Sequence, residues 1–211
     1  MLTDLQYLCR TTFYETFADS TDEEDMRKFL AETYSAEKLS AELANSESVT
    51  FIAYKNGTPL GYLKLNIGNA QTEKCLDNAL EIQRIYILKS AKGQGIGSAF
   101  MQIAENFASE KKLSTIWLGV WEHNEPAKKF YKSKGYEKFS HHTFVIGDDM
   151  QTDFLLKKEI CIIPVEVKAE ENLQSKSLRS FVEKNPELHG IRFSMSDYRE
   201  QEWLTNYPLL E

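Results

Sequence analysis

The chain has 211 residues, 42% of them hydrophobic and 27% charged, with a formal net charge of -7. That length allows one domain with a substantial core plus a small appendage rather than two full domains, in a soluble globular protein. The acidic balance excludes the basic surface that grips a phosphate backbone, so no nucleic-acid partner is expected, whereas an acidic face attracts a cationic substrate.

Cys9, Cys75 and Cys161 are far apart and form no CxxC pair, which reads as free thiols in a reducing compartment rather than a disulfide or zinc framework. The N-terminus lacks the pattern of a secretory leader, and no apolar run approaches the roughly 20 residues that span a bilayer. The expected setting is cytoplasmic, without a membrane partner.

In chain order, residues 4–18 put Leu5, Leu8, Cys9, Thr12, Phe13 and Phe17 at three- and four-residue spacing, which predicts an amphipathic helix. An acidic stretch with Asp19, Asp22, Glu23, Glu24 and Asp25 follows, then two short helical segments, MRKFLAETY and SAEKLSAELAN. VTFIAYKNGTPLGYLKLNIG is two β-prone runs around Asn56-Gly57, a hairpin signal because both residues tolerate positive φ. LEIQRIYIL, residues 80–88, reads as a strand deep in a sheet. After the glycine cluster AKGQGIGSAF, a helix carries Phe100, Ile103, Ala104 and Phe107 on one face, and STIWLGVW is a second buried strand. EHNEPAKKFYKSKGYEKF is a helix with Pro126 in its first turn and Gly135 at its end. HHTFVIG and TDFLLKKEI close the series as a pair of strands. The alternation predicts the α/β class, a mixed central sheet flanked by helices.

A strand, a glycine-rich turn and a helix make a general anion site, because the first N–H groups of a helix have no internal partners. The Walker pattern is absent, since no Lys-Ser/Thr pair follows Gly93, Gly95 and Gly97. The dinucleotide fingerprint fails too, for want of its third glycine and of the strands a doubly wound unit needs upstream. A loop of the form [Q/R]xxGxG remains, one that cradles a pyrophosphate on successive backbone amides. Lys92-Gly93-Gln94-Gly95-Ile96-Gly97 fits it, with Lys where Gln or Arg is usual. Downstream, Asn124, Ala127, Phe130, Tyr131, Gly135 and Tyr136 fit a segment NxxAxxFYxxxGF, with Tyr as the last aromatic.

On these two segments residues 3–158 resemble the GNAT family of N-acetyltransferases. The resemblance implies the GNAT fold, acetyl-coenzyme A as co-substrate, and direct acetyl transfer to a primary amine in a ternary complex. It implies Glu81 as general base and Tyr131 as the acid that protonates the departing thiolate. Pantetheine is expected in a splay between the strands at 82–88 and 115–121, on backbone groups of Ile85, Tyr86 and Ile87, with an oxyanion-binding N–H from a bulge near Ile85 to Ile87. Lys92, Gly93, Gln94, Gly95, Ile96, Gly97 and Ser98 would hold the pyrophosphate together with Asn124 and Lys128, and Lys89 and Lys132 would add charge. The segment from Thr12 to Leu43 resembles the bacterial spermidine/spermine acetyltransferase branch. Phe13, Tyr14, Phe17 and Glu24 are the expected acceptor wall, aromatic and acidic as a small-molecule polyamine requires. Other readings are a protein or a different small-molecule amine as acceptor, or an acetyl-coenzyme A-binding module with little turnover.

Two departures stand out. The first helix begins within a few residues of Met1, where family members open with a strand, so an edge strand is expected to be missing. The similarity also stops near Glu159, which predicts an acetyltransferase domain at 1–159 and a C-terminal extension at 160–211. The extension resembles the end of a prokaryotic AAA-type ATPase family whose C-terminal domain is nuclease-like, with Asp153 and Glu166-Val167-Lys168 similar to its D…ExK metal pattern. It reads as a fused remnant with no metal, forming a strand, a helix from near Asn172 and a further strand, and offering a surface for association such as a homodimer.

Overall fold

The computed structural model describes residues 1–18, 21–146, 149–160, 163–168, 176–186 and 188–209, with backbone alone for 144–146 and 149–151. The chain divides into two compact units, Met1–Ile160 and Cys161–Glu211.

The first unit begins with α1 (Leu2–Phe17), α2 (Glu23–Thr33) and α3 (Ala36–Ala44). Its alternating part follows as β1 (Ser48–Lys55), β2 (Thr58–Asn66), β3 (Ala79–Ile87), α4 (Ile96–Glu110), β4 (Thr115–Trp121), α5 (Glu125–Ser133), β5 (Glu137–Ile146) and β6 (Asp149–Glu159). The stripe Leu5, Leu8, Cys9, Thr12, Phe13 and Phe17 is the buried face of α1, as its spacing requires. The acidic stretch has a local structural role. Asp22 caps α2 by accepting the N–H of Glu24 at 2.9 Å, and Glu23, Glu24 and Asp25 sit in the first turn, where negative charge meets the positive end of the helix dipole. Asp19 lies outside the described residues. Asn56 and Gly57 turn the β1–β2 hairpin with φ of 50° and 79°.

The six strands run in the order β1-β2-β3-β4-β6-β5, antiparallel except for β3–β4. That parallel pairing covers only Ala79 to Glu81 against Thr115 to Trp117, although β3 continues to Ile87 and β4 to Trp121. On one face Leu80, Ile82, Ile85 and Ile87 join Ile116, Leu118 and Val120 in a core closed by α4 and α5, through Phe100, Met101, Ala104 and Tyr131. On the other, Tyr62, Tyr86 and Trp121 pack with α1, α2 and α3. Ile82 and Ile85 share a face because Lys64 pairs with Arg84 while Leu65 pairs with Ile82, which leaves Gln83 as a one-residue bulge. The bulge thus lies upstream of the Ile85 to Ile87 position expected from the sequence.

Gly61 sets the β2–β3 spacing. A Cβ there would lie 2.6 Å from the Tyr86 carbonyl oxygen and 3.1 Å from the Ile87 Cα, both backbone atoms that cannot swing aside. Gly61→Ala is expected to push β2 off β3 and destabilise the fold by about 1–3 kcal/mol, read from the urea midpoint; an unchanged midpoint would show that the strands separate freely.

The second unit has β7 (Val165–Lys168), α6 (Lys176–Glu183), β8 (Gly190–Ser194), β9 (Arg199–Gln201) and β10 (Leu204–Pro208), with sheet order β7-β8-β10-β9. Leu178 and Val182 of α6 pack on Leu204. The position near Asn172 is outside the described residues, as is Cys161. The extension holds two more strands than its sequence suggests, because β10 buries polar residues. Asn206 accepts from Arg192 Nε at 2.9 Å and from the Ser194 hydroxyl at 2.8 Å, so its burial is compensated by hydrogen bonds rather than announced by hydrophobicity. Among the described residues no helix is long and apolar enough to cross a membrane.

Candidate active site

Beyond Glu81 and Trp117 the two parallel strands part, and the groups between them have no sheet partner. Leu88 N–H donates to the Leu60 carbonyl at 2.9 Å. Backbone groups alternate in direction along a strand, so the N–H groups of Ile87 and Ile85 point away from β2 and into the gap. A linear amide-bearing chain threaded there would meet two donors in strand register.

The glycine loop stands at the mouth of the gap. Gly93 and Gly95 have φ of 77° and 83°, and a Cβ on either meets nothing within 4 Å, so the left-handed backbone selects glycine rather than crowding. Gly95 is the N-cap of α4, and no side chain among the described residues caps that helix, which leaves its first amides for an anion. Gly97 serves packing instead: a Cβ there would sit 3.3 Å from Phe130 and 3.5 Å from the Ile87 side chain. Lys92, Gln94 and Ser98 are exposed, and Ile96 is half-buried in the core. Gln94 accepts from Lys55 Nζ at 3.1 Å. Lys55 brings a cation to the loop from the β1–β2 hairpin, a placement that no local pattern announces.

Asn124 caps α5 by accepting the Ala127 N–H at 3.2 Å. Lys128 is already engaged: its ammonium donates to the Glu122 carbonyl and pairs with Glu125 at 2.6 Å, so its charge is partly spent away from any phosphate. Lys89 and Lys132 are exposed. Tyr131 is 7% exposed, and its hydroxyl has no hydrogen-bond partner among the described residues. Burial, with Tyr86 adding to it, pushes its phenol above the usual value, so it stays a proton donor at neutral pH.

Glu81 departs from its expected role. It is 3% exposed and accepts from Asn66 Nδ2 at 2.9 Å, from the Thr72 N–H at 2.9 Å and from the Thr72 hydroxyl. Three of its lone pairs anchor the segment between β2 and β3, and its burial keeps it from direct contact with a substrate amine. The acceptor wall also divides. Phe13 and Phe17 are core residues, 3% and 5% exposed, with the Phe13 ring stacked on Phe29 at 4.5 Å. Tyr14 and Glu24 face solvent, Glu24 paired with Lys28 at 2.8 Å. Of the four, Phe17 borders the sheet, its ring 5.5 Å from Trp121.

A split sheet with an uncapped helix terminus at its mouth and a buried phenol beside it suits an acyl transferase that takes its acyl group from a phosphorylated carrier. The profile of the Acetyltransferase (GNAT) family matches residues 9–136. An uncharacterized N-acetyltransferase of Lactobacillus delbrueckii subsp. lactis is 47% identical over 153 residues, 72% of this chain and 88% of that protein. A spermidine N(1)-acetyltransferase of Thermoplasma acidophilum is 25% identical over 156 residues, 72% of this chain and 87% of that protein. The crystal structure of the PaiA N-acetyltransferase of Thermoplasma acidophilum in complex with coenzyme A shares the fold, with a TM-score of 0.62 at 24% identity over 75% of this chain and 92% of that one. The chain belongs to the GNAT family: it is an N-acetyltransferase with acetyl-coenzyme A as donor.

Proposed function

We propose that the protein acetylates a primary amine of a polyamine such as spermidine or spermine, by direct attack on acetyl-coenzyme A in a ternary complex. The observation that carries the mechanism is the unpaired stretch between β3 and β4, whose inward amides of Ile85 and Ile87 suit a pantetheine arm. In this reading the loop Lys92 to Ser98 holds the pyrophosphate on its amides, Asn124 borders the carrier, and Tyr131 protonates the thiolate as the C–S bond breaks. The polyamine class is supported by the net charge of -7 and by the distant spermidine-acetylating relative. The chemistry is assigned to residues 1–159, and the extension 160–211 takes no part in it. A cytoplasmic location belongs to the same reading, supported by the free thiols of Cys9 and Cys75.

The test is thiol release from acetyl-coenzyme A with spermidine, spermine, lysine and aminoglycosides, run beside calorimetry of coenzyme A binding. Turnover on polyamines well above the other amines supports the proposal. Binding without thiol release on any amine would make the protein a carrier-binding module, and magnesium-dependent DNA cleavage would move attention to Glu166 and Lys168 of β7. Gly95→Ala is expected to weaken coenzyme A binding about tenfold, since a left-handed alanine costs about 1–2 kcal/mol and the loop would relax out of its amide cradle; unchanged affinity would exclude the loop as the pyrophosphate site.

A further inference from the structure

Glu81 is 3% exposed and tied by three hydrogen bonds, whereas a more open carboxylate stands beside the gap. Asp153 of β6 pairs in register with Trp121 of β4 and with His142 of β5, so all three side chains rise on the α1–α3 side of the sheet. Gly119 leaves room for it: a Cβ there would lie 3.4 Å from Asp153 Oδ2, so the carboxylate leans over β4 toward the unpaired stretch. The side chains of Asp153 and His142 keep 19% and 28% of their surface exposed, within reach of a ligand. His142 Nε2 is 3.6 Å from Asp153 Oδ2, and its Nδ1 faces the Glu73 carboxylate.

Resting on the acetyltransferase reading above, we infer that Asp153, backed by His142 and Glu73, receives the acceptor's ammonium on this face and takes its proton. Two phenols frame the reacting centre. Tyr86 of β3 is pushed up to about 12, by burial first and by Asp153 next. Tyr131, reaching in from the α4–α5 side, is in turn raised by burial and then by Tyr86. Tyr86 lies on the α1–α3 face with Asp153, and Tyr131 lies in the core on the other face. The ammonium gives one proton to Asp153, which passes it through His142 toward solvent. The freed nitrogen lone pair attacks the acetyl carbon, the C–S bond breaks, and the second nitrogen proton ends on the thiol by way of the Tyr131 hydroxyl. Burial raises the Asp153 carboxyl, Glu122 adds to this and His142 opposes it, which moves the group toward the range where a base works near neutrality.

The test compares kcat/KM against pH for wild type, Asp153→Asn, His142→Gln and Glu81→Gln with spermidine, alongside coenzyme A calorimetry. Asp153→Asn is expected to lose about 10²–10³-fold in kcat/KM with coenzyme A affinity kept, and its acid limb is expected to vanish, activity rising instead toward the amine's own pKa of about 10. His142→Gln is expected to lose about tenfold and to move that limb, as a positioning residue that modulates the base does. Activity of Asp153→Asn close to wild type with the limb in place, or the limb lost in Glu81→Gln instead, overturns the assignment. Should Asp153→Asn lose coenzyme A binding, the His142→Gln limb decides: moved supports, unmoved overturns. If wild type acetylates no amine, the acetyltransferase reading fails by itself. Spermidine binding to the coenzyme A-loaded protein then judges Asp153, since binding unchanged in Asp153→Asn overturns its role and binding lost supports it.

Discussion

Tyr131→Phe is expected to lower kcat about 10²–10³-fold with little change in the affinity for acetyl-coenzyme A. The substitution removes one oxygen and leaves the ring, which packs at 5.4 Å from Phe130 and 6.1 Å from Tyr136. No described residue loses a hydrogen bond, so no buried polar group is orphaned and the fold is expected to keep its melting temperature. In the proposed mechanism what disappears is the donor to a thiolate that leaves more readily once protonated. Burial holds the phenol in its protonated form, and the effect on kcat is therefore expected across the neutral range rather than at one pH. Thiol-release kinetics with calorimetry check it. An unaltered kcat removes Tyr131 from the mechanism, and a collapsed melting temperature would assign the effect to packing.

Glu42→Ala is expected to destabilise the protein by about 3–5 kcal/mol, because it strands two buried cations. Glu42 of α3 accepts from both terminal nitrogens of Arg84, at 2.7 and 3.1 Å, and pairs with Lys64 at 2.8 Å. The side chains of Lys64 and Arg84 are 6% and 13% exposed, so water cannot take over from the carboxylate. Arg84 stands next to the Gln83 bulge, and releasing it is expected to disturb β3 where it runs along the gap, just before Ile85. Burial alone would raise the Glu42 carboxyl, but Arg84 and Lys64 outweigh it and hold the group below its usual value. A lowered folded value means the stabilisation is complete above the ordinary carboxylate pKa and is lost as pH falls through the lowered one. Urea midpoints against pH should therefore fall more steeply in acid for wild type than for Glu42→Gln; parallel curves would show that the carboxylate carries no such linkage.

The elements of the first unit were legible because each follows from near neighbours. The α1 stripe, the Asn56-Gly57 turn, the end of α5 at Gly135 and the glycines at 93 and 95 are consequences of spacing or of backbone angle, and the structure realises them where the sequence puts them. Family membership was legible for the same reason, since the loop and the Asn124 to Tyr136 segment are each contiguous. The β9 and β10 strands were not, because β9 is short and mostly exposed and the burial of β10 is carried largely by polar residues rather than an apolar run.

The charged residues were the least readable. The family resemblance made Glu81 the general base, and only the fold brings Asn66 and Thr72 to its oxygens. The acidic run at Asp22 to Asp25 pointed to an acceptor site and serves to start α2. Asp153 carries no mark in its own stretch of chain, as its partners His142, Gly119 and Tyr86 arrive from three other strands. By itself the sequence determined the elements of the first unit, their order and the glycine loop before α4, because local backbone preference and periodic burial act over a few residues. Which carboxylate is free and which is tied was decided by the tertiary structure alone, because a side chain's charge is neutralised, desolvated or exposed by groups far away along the chain.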